Sequence, residues 1–462
     1  MTFWTLDRVA QALGQQIVGA RSKGQQPLGA VVTDTRTIAP SDVFVALIGE
    51  RFDAHEFLGE AVARGAAAVV VSDASRLANL GVPAFVVADT VRALGALGTY
   101  RRRAWGGPVV AVAGSNGKTS TKALITAALG TCFDVHATRG NLNNEIGVPL
   151  TLLAIPDGAQ VAVVEIGTSH PGEVATLRAM VEPDIAVVSS IGEELLEGLG
   201  DLDGVLREEC AVYDGLALAI APAGQPEVGR AARFLATRVV EAGVEVGDVH
   251  ADAWGLAPDG RGWFTLGELR VQLPLLGAHN VRNALLAVAV ARACGVSDVD
   301  AAAGLSAVVQ LPMRSSLESL GSLLVLNDAY NANPASAREA LAMLNALETD
   351  RPRVAVLGSM LELGAHSDAM HDDIARLAMQ SAAGVIVGIG EFVRAFAAVA
   401  SGDPRVITAA DVDAIWPTLR ERLTPNTCIL LKGSRGARLE QLIPKLQDFA
   451  EIPASPPPTT PP

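Results

Sequence analysis

The sequence predicts an α/β protein of three domains, a small N-terminal one followed by two larger ones with mostly parallel sheets. The chain has 462 residues, too many for one hydrophobic core at about 150 residues per domain. Short apolar runs alternate with helix-length segments along the chain, which indicates parallel sheets flanked by helices. Residues 109–121 read as a buried parallel strand, a tight glycine turn and the start of a helix.

Composition limits the classes of protein that fit. Half of the residues are hydrophobic, 19% are charged and the formal net charge is -14. The chain is therefore globular, and it lacks the cationic surface that a nucleic-acid or membrane-surface binder needs. Its four cysteines are far apart in sequence, which favours reduced thiols over disulfides or a zinc site. No signal-peptide pattern or long apolar window is found, so we expect a cytoplasmic protein without membrane insertion.

The N-terminal domain is expected over residues 1–104. Short β-like runs at residues 30–32, 43–48, 67–71 and 84–87 alternate with helical stretches, the pattern of a small α/β unit. The segment Arg101-Arg-Arg-Ala-Trp-Gly-Gly-Pro108 indicates a solvated helix end and a hinge before the second domain.

Residues 114–119, Gly-Ser-Asn-Gly-Lys-Thr, are typical of a phosphate-binding loop. Glycines let backbone N–H groups approach a polyphosphate, and the following helix adds the positive end of its dipole. Lys118 would reach the β- and γ-phosphates, and the Thr119 hydroxyl can ligate Mg²⁺. The general motif has a glycine where this chain has Val112, so the match is to a shortened variant. An ordinary strand-to-helix turn is the alternative.

This loop predicts a P-loop-type ATPase domain over residues 105–311, with a β-rich insertion near residues 248–275. Ligands of open α/β sheets bind at the carboxyl ends of the strands. Glu165 ends the apolar run 161–164 and is therefore expected to be a second oxygen ligand of Mg²⁺. A solvated glutamate at a strand end is the alternative reading.

Two groups of amide side chains complete the candidate residues of this domain. Asn141, Asn143 and Asn144 lie in a loop that suits a sugar or peptide ligand, although such residues more often form turns. The segment His279-Asn-Val-Arg-Asn283 stands at the start of a predicted helix. Its amides are candidate ligand-binding groups, and the alternative is that Asn280 is only the N-cap of that helix.

A third, Rossmann-like domain is expected over residues 312–452. Strand-like runs recur at residues 323–326, 354–357, 385–389 and 429–431, separated by helix-length stretches. Residues 453–462 are rich in proline and threonine and are predicted to be disordered.

The order of these motifs resembles that of the Mur ligases, which make the peptide of bacterial cell-wall precursors. The motifs are Gly114-Ser-Asn-Gly-Lys-Thr119, Gly140-Asn-x-Asn-Asn-x-Ile-Gly147, Glu165-Ile-Gly167, His279-Asn-Val-Arg-Asn283 and Asp328-Ala-Tyr-Asn-Ala-Asn-Pro334. The chain is most similar to the members that add D-alanyl-D-alanine. Three features carry this likeness: Asp34-Thr-Arg36 with Asp42-Val-Phe-Val-Ala-Leu-x-Gly49, the stretch Tyr330-Asn-Ala-Asn-Pro334, and Leu431-Lys-Gly-Ser-Arg435. The Asp-Asn-Pro-Arg motif typical of the ligase that adds the third amino acid is not found. The combined order is far more specific than any single motif.

The resemblance implies an ATP- and Mg²⁺-dependent amide ligase that acts as a monomer on UDP-N-acetylmuramoyl-tripeptide and D-alanyl-D-alanine. Its catalytic residues would be Lys118, Glu165, Glu209 and Arg314, with Thr119 and Glu165 on the metal. ATP would contact Gly114, Ser115, Asn116, Gly117, Lys118, Thr119, Ser120, His279, Asn280, Asn283, Arg314 and Asp328. The UDP-substrate would contact Thr35, Arg36, Asn141, Asn143 and Asn144, and the dipeptide Tyr330, Asn331, Asn333, Ser336, Lys432, Ser434 and Arg435.

Two departures from the family pattern matter for the metal. A histidine usual after the strand near residues 184–190 is replaced by Leu195, so the second Mg²⁺ site is lost unless another group such as Glu194 serves it. A lysine that many members carbamylate with CO₂ corresponds by spacing to Glu209, with Glu208 as the register alternative. Our hypothesis is that Glu209 supplies this carboxylate without modification.

Two other functions fit parts of the pattern. One is a ligase of the same superfamily with another acceptor, such as a glutamate-adding folate ligase, against which the Asp34-Thr-Arg36 region argues. The other is a Mur-like protein that binds nucleotide and UDP-sugar without catalysis, an interpretation motivated by Leu195.

Overall fold

The computed structural model describes residues 3–18, 24–49, 52–78 and 80–451. The tail predicted to be disordered, residues 453–462, lies outside the described residues. The chain divides into two compact units. The first consists of Met1–Ala111, Phe133–Thr168 and Glu173–Asp184, and the second of Val112–Cys132, Ser169–Gly172 and Ile185–Pro462. The strand Val109–Ala113 contributes residues to both.

The first unit contains a four-stranded parallel sheet. Its strands, in spatial order, are Val31–Val32, Val43–Val45, Ala68–Val71 and Ala84–Val86. Side chains alternate between the two faces of this sheet, as β geometry requires. Val43 and Val45 therefore join one apolar cluster, while Phe44 joins the other.

The rest of the first unit is largely helical. A second parallel pair is formed by Val135–Ala137 and Val161–Glu165. The helices are Leu6–Leu13, Leu58–Ala63, Thr90–Trp105, Gly147–Leu153 and Glu173–Val181.

The prediction that the end of the helix Thr90–Trp105 is solvated is wrong for two of the three arginines there. The side chains of Arg101 and Arg102 are only 7% and 9% exposed. Arg101 donates to the Ile155 carbonyl at 2.6 Å, and Arg102 Nε donates to the Val181 carbonyl at 2.9 Å. A guanidinium carries five donors in a fixed fork, so these carbonyls can satisfy it inside the protein. Arg103 alone is exposed.

The second unit contains four adjacent parallel strands. In spatial order they are Ile185–Val188, Leu216–Pro222, Ala236–Gly243 and Val249–His250. The predicted β-rich insertion is an antiparallel sheet of Ala253–Leu256, Arg261–Leu266 and Leu269–Leu276. Helices in this part are Lys118–Leu129, Leu196–Leu199, Leu202–Cys210, Pro226–Leu235, Ala278–Ala293 and Asp298–Ser306.

The second unit also holds a six-stranded sheet. Its strands, in spatial order, are Ser316–Leu320, Leu323–Asp328, Cys428–Lys432, Arg353–Gly358, Val385–Ile389 and Val406–Ala409. Only the first pair is antiparallel. The helices Pro334–Ala346, Ser367–Met379, Glu391–Val399, Val412–Arg422 and Leu442–Glu451 accompany it. Two apolar clusters lie on its opposite faces, one containing Leu326 and Leu430 and the other Val325 and Leu431. Burial on both faces explains the continuous apolar runs in these strands.

The α/β fold class with mostly parallel sheets is thus confirmed. All four cysteines are free, with Cys210 and Cys428 buried and Cys132 exposed. None of the helices within the described residues has the length and apolar character needed to cross a membrane.

Candidate active site

The phosphate loop follows the buried strand Val109–Ala113 and precedes the helix Lys118–Leu129, as predicted. Gly114 has a φ of 120°, a conformation that side chains rarely adopt. A Cβ at this position would lie 2.5 Å from Ser189 Oγ and 2.9 Å from the Ser189 backbone nitrogen. The Ser115 N–H donates to the Ser190 carbonyl at 2.7 Å, and Ser189 Oγ donates to the Asn116 carbonyl at 2.7 Å. The loop is therefore held rigidly against residues that follow the strand Ile185–Val188.

Lys118 begins the helix, and its ammonium group turns back over the loop. Its Nζ donates to the Gly114 carbonyl and lies 4.0 Å from Glu194 Oε2. Thr119 is buried in the first turn of the helix and Ser120 is half-buried. The N-terminus of a helix beside a lysine is a site prepared for a phosphate group.

Glu209 extends from the helix Leu202–Cys210 to this loop. Its side chain is buried, and Oε2 accepts the Gly114 N–H at 2.7 Å. Oε1 is also buried and has no hydrogen-bond partner among the described residues. Burial raises the pKa of Glu209, and the nearby Lys118 ammonium opposes that rise. Glu208, the register alternative, instead accepts the Gly172 N–H at 2.7 Å. Of the two, Glu209 is the carboxylate hydrogen-bonded to the phosphate loop.

Leu195 and Glu194 differ sharply in environment although they are neighbours. Leu195 is buried in a small apolar cluster with Leu196, Leu199 and Val205, so it is a packing residue. The Glu194 side chain is 13% exposed, and its Oε1 accepts Asn331 Nδ2 at 3.3 Å. Burial raises the pKa of Glu194 to about 7, and the Lys118 charge opposes this rise.

Glu165 belongs to the first unit, where it ends the strand Val161–Glu165. Its residue surface is only 1% exposed, so the alternative of a solvated strand end is wrong. Its N–H donates to Thr138 Oγ1 at 3.0 Å, and its Oε1 accepts Asn143 Nδ2 at 2.8 Å. Asn143 thus orients this carboxylate.

The other two amides of that loop have different surroundings. Asn144 Oδ1 accepts the Gly147 N–H at 2.9 Å, which satisfies a backbone donor at the start of the helix Gly147–Leu153. Asn141 is exposed. Asn144 therefore has the turn-forming role that was the alternative for this loop.

The helix Ala278–Ala293 packs beside the phosphate loop. It begins after Gly277, so the alternative that Asn280 is its N-cap is wrong. Asn280 Nδ2 donates to the Leu276 carbonyl at 2.8 Å, and Asn283 Nδ2 donates to Asn280 Oδ1 at 3.3 Å. A Cβ at Gly117 would lie 2.9 Å from Asn283 Nδ2, which shows how closely helix and loop approach.

His279 and Arg282 project from this helix towards Glu339 of the helix Pro334–Ala346. His279 Nδ1 lies 3.7 Å from Glu339 Oε2, and Arg282 donates to Glu339 Oε1. Burial alone would raise the pKa of Glu339, but His279 and Arg282 outweigh it and lower the pKa to about 2.

Arg314, Asp328, Tyr330 and Lys432 form one cluster. The parallel register sets Asp328 opposite Lys432 at the carboxyl ends of two strands. Lys432 is buried, and its Nζ lies 2.7 Å from Asp328 Oδ2 and donates to the Asn331 carbonyl at 2.7 Å. The Arg314 guanidinium stacks on the Tyr330 ring at 3.9 Å. Lys432 thus holds the loop of residues 329–333 in place.

The remaining residues predicted to bind the dipeptide also order this loop. Asn333 N-caps the helix Pro334–Ala346 in a capping box with Ser336. Its Nδ2 also donates to Asn116 Oδ1 of the phosphate loop at 2.8 Å. Ser434 Oγ donates to the Ala332 carbonyl at 3.1 Å, whereas Arg435 is largely exposed near Met313.

In the first unit, Thr35 and Arg36 lie in a short 3-10 helix that Asp34 caps. The Arg36 side chain is 82% exposed and binds Asp34 through Nε and a terminal nitrogen. Hydrogen bonds from Arg36 lower the pKa of Asp34 to about 2. The guanidinium is thereby oriented while its outer face stays open to solvent.

Sequence reasoning missed several residues that shape the site. Ser189 and Ser190 fix the phosphate loop, and the Asn116–Asn333 hydrogen bond joins it to the loop of residues 329–333. Serines directly after a buried strand were an available signal, because strand ends bear ligand-side residues. The Asn116–Asn333 pairing spans 217 residues and had no local signal.

Comparisons with known proteins agree with this geometry. Residues 112–291 match the model of the Mur ligase middle domain, and residues 314–435 match that of the Mur ligase, glutamate ligase domain. The UDP-N-acetylmuramoyl-tripeptide--D-alanyl-D-alanine ligase of Escherichia coli K12 is 35% identical, over 96% of this chain and 98% of its own length.

The chain belongs to the Mur ligase family. Mur ligases are ATP-dependent enzymes that form amide bonds, and this chain is such an enzyme. The MurF structure from Acinetobacter baumannii is similar with a TM-score of 0.88 and 33% identity, covering 96% of this chain and 99% of that one. The structure of MurF from Thermotoga maritima in complex with ADP is similar with a TM-score of 0.81 and 25% identity, covering 92% of this chain and 98% of that one. The family relationship therefore extends through all three domains of the Mur ligase fold.

Proposed function

We propose that this Mur ligase joins D-alanyl-D-alanine to UDP-N-acetylmuramoyl-tripeptide in peptidoglycan precursor synthesis. The observation that carries the proposal is the 2.8 Å hydrogen bond from Asn333 to Asn116. It ties the loop assigned to ATP phosphates to the loop assigned to the dipeptide. The name of the E. coli relative supports this choice of substrates.

The reaction has two steps. The tripeptide carboxylate attacks the γ-phosphorus of ATP, which gives an acyl phosphate and ADP. Lys118 and the backbone N–H groups after Gly114 offset the charge of the transferred phosphoryl group. The uncharged amine of D-alanyl-D-alanine then attacks the activated carbonyl, and phosphate leaves. Water has to be excluded meanwhile, because an exposed acyl phosphate hydrolyses.

Oxygen ligands for Mg²⁺ are available in this chain. Glu209 Oε1 is a buried carboxylate oxygen without a hydrogen-bond partner among the described residues, which fits a cation. Thr119 and Glu165 remain our proposed ligands on the sequence argument. Within the described part of the chain no cluster of three or more His, Cys, Asp or Glu residues is suited to a metal. Phosphate oxygens and water would complete the shell, as is usual for Mg²⁺, which when bound neutralises charge on the phosphates.

The other substrate contacts are proposals of the same kind. Thr35 and Arg36, with Asn141, Asn143 and Asn144, are assigned to the UDP-substrate, and the exposed Arg36 guanidinium supports a role towards phosphate. Arg314, Asp328, His279, Asn280 and Asn283 are assigned to ATP. The domain boundaries after residues 104 and 311 and the monomeric state also remain predictions.

Phosphate release from ATP tests the proposal. It is measured with UDP-N-acetylmuramoyl-tripeptide, with and without D-alanyl-D-alanine. We expect release only when both substrates are present. Release with another acceptor, such as glutamate on a folate, would replace this function with that of a different ligase. No release with any pair would support the non-catalytic alternative that Leu195 suggested.

A further inference from the structure

Glu194 lies between a residue assigned to the ATP phosphates and a residue assigned to the dipeptide. It belongs to the loop that follows the strand Ile185–Val188. Its Oε2 is 4.0 Å from the ammonium of Lys118, which is assigned to phosphate. Its Oε1 accepts the amide of Asn331, which is assigned to the dipeptide, at 3.3 Å. One carboxylate thus spans the distance between the activating group and the acceptor loop.

The Glu194 carboxylate has unused capacity. Oε2 is buried and has no hydrogen-bond partner among the described residues. A buried carboxylate oxygen without a donor is costly unless a ligand supplies one. The ammonium group of the incoming dipeptide is such a donor, with three N–H bonds and a positive charge.

We propose that Glu194 is the general base that takes a proton from the dipeptide ammonium, so that the neutral amine can attack the acyl phosphate. This inference rests on the proposed function. One N–H bond breaks, and its proton passes to Glu194 while the electron pair stays on nitrogen. That pair forms the C–N bond, and the pair of the breaking C–O bond leaves with phosphate. The released phosphate takes the second proton, so the products are an amide, hydrogen phosphate and a protonated Glu194.

The charges that face Glu194 suit proton transfer near neutral pH. Burial raises the pKa of Glu194 to about 7, Glu209 and Glu362 add to the rise, and Lys118 and Arg314 oppose it. A free α-ammonium group has a pKa of about 7.7–8.0. A general base is most effective when its pKa lies near the operating pH, which is the case for Glu194.

Glu194→Gln tests the inference, because it keeps the shape of the side chain and removes the base. Two acceptors are compared at pH 7, D-alanyl-D-alanine and hydroxylamine, which is largely uncharged there and needs no base. Ligation to D-alanyl-D-alanine is expected to fall about 10-fold in kcat/KM, because only about a tenth of the dipeptide is a neutral amine at pH 7 without a base. Hydroxamate formation, which consumes the same acyl phosphate, is expected to stay within about threefold of wild type. It also reports that the variant is folded.

The pH dependence of ligation by Glu194→Gln is a second test of the inference. Above pH 8 the dipeptide amine loses its own proton, so the deficit with D-alanyl-D-alanine is expected to shrink towards wild type. Glu193→Gln is the matched control, since Glu193 lies in the same loop and, among the described residues, forms its ion pair with Arg338 near the surface. It is expected to change neither reaction more than about twofold.

Two results would overturn the inference. An equal loss with both acceptors would place Glu194 in phosphoryl transfer or metal binding. No loss with D-alanyl-D-alanine at pH 7 would leave no role for a base. Failure of the proposed function is distinguishable, because wild-type enzyme would then make no D-alanyl-D-alanine product at any pH.

Discussion

Replacing Glu209 by alanine is expected to slow ATP-dependent ligation about 10- to 150-fold. The carboxylate is buried, and its Oε2 accepts the Gly114 N–H at 2.7 Å. A hydrogen bond to a charged group contributes about 1.5–3 kcal/mol. Since each 1.36 kcal/mol is a factor of ten in rate, this range corresponds to about 10- to 150-fold. Any metal ligation by Oε1 would add to the loss.

The same carboxylate predicts how the enzyme responds to CO₂. Because Glu209 carries its carboxylate without modification, wild-type turnover is expected to be equal in CO₂-free buffer and in bicarbonate. ADP release in the two buffers measures this directly. Short carboxylic acids such as formate are expected to restore part of the activity of Glu209→Ala. Full activity of the variant without rescue, or a bicarbonate requirement of the wild type, would refute the reasoning.

Glu208→Ala is the matched control for this prediction. Glu208 lies one residue away in the same helix, but its Oε2 accepts the Gly172 N–H and not that of Gly114. We expect a smaller effect on turnover than that of Glu209→Ala. A larger loss at Glu208 would mean that the carboxylate had been assigned to the wrong register.

Three further predictions follow from single residues. Lys118→Ala is expected to lower turnover at least about 100-fold and leave the thermal unfolding temperature within about 2 °C, so unfolding of the variant would contradict a ligand-facing lysine. Lys432→Met is expected to lower the free energy of unfolding in urea by about 3 kcal/mol, because it leaves the Asp328 carboxylate, 14% exposed, without its cation. Adding Asp328→Asn is expected to recover part of this loss, and strict additivity would argue against the pair. The lowered pKa of Glu339, about 2 against an ordinary 4.5, means that its stabilisation is present above pH 4.5 and is lost as pH falls towards 2. Glu339→Gln is expected to flatten the acid unfolding curve over that window, and an unchanged curve would contradict the ion pair.

Much of the fold could be predicted because its signals are local. The strands Leu323–Asp328 and Cys428–Lys432 are buried on both faces, so they read as continuous apolar runs. The strand Ala236–Gly243 was missed because it follows directly on the helix Pro226–Leu235 and exposes Arg238 on its surface. Its apolar residues are too few to show an alternating pattern.

In the candidate site, too, the features with a local sequence signal could be predicted and those that depend on tertiary packing could not. The phosphate loop was predictable from a contiguous motif, and the spacing of residues 200–209 pointed to Glu209. By contrast, the sequence could not show that Arg101 is buried, because the carbonyl and carboxylate that bind it lie 54 and 56 residues away. Contacts of this kind depend on tertiary packing and leave no periodic signal.

The two buried arginines have a practical consequence for dividing the chain. A fragment that ended after residue 104 would keep both guanidinium groups but lose residues 155–184, which satisfy them. Both guanidinium groups would then lack their hydrogen-bond acceptors, and the piece is expected to be less stable when expressed alone. Arg101 and Arg102 therefore anchor the end of their helix to residues 155–184, and a soluble fragment is expected to need both parts of the chain.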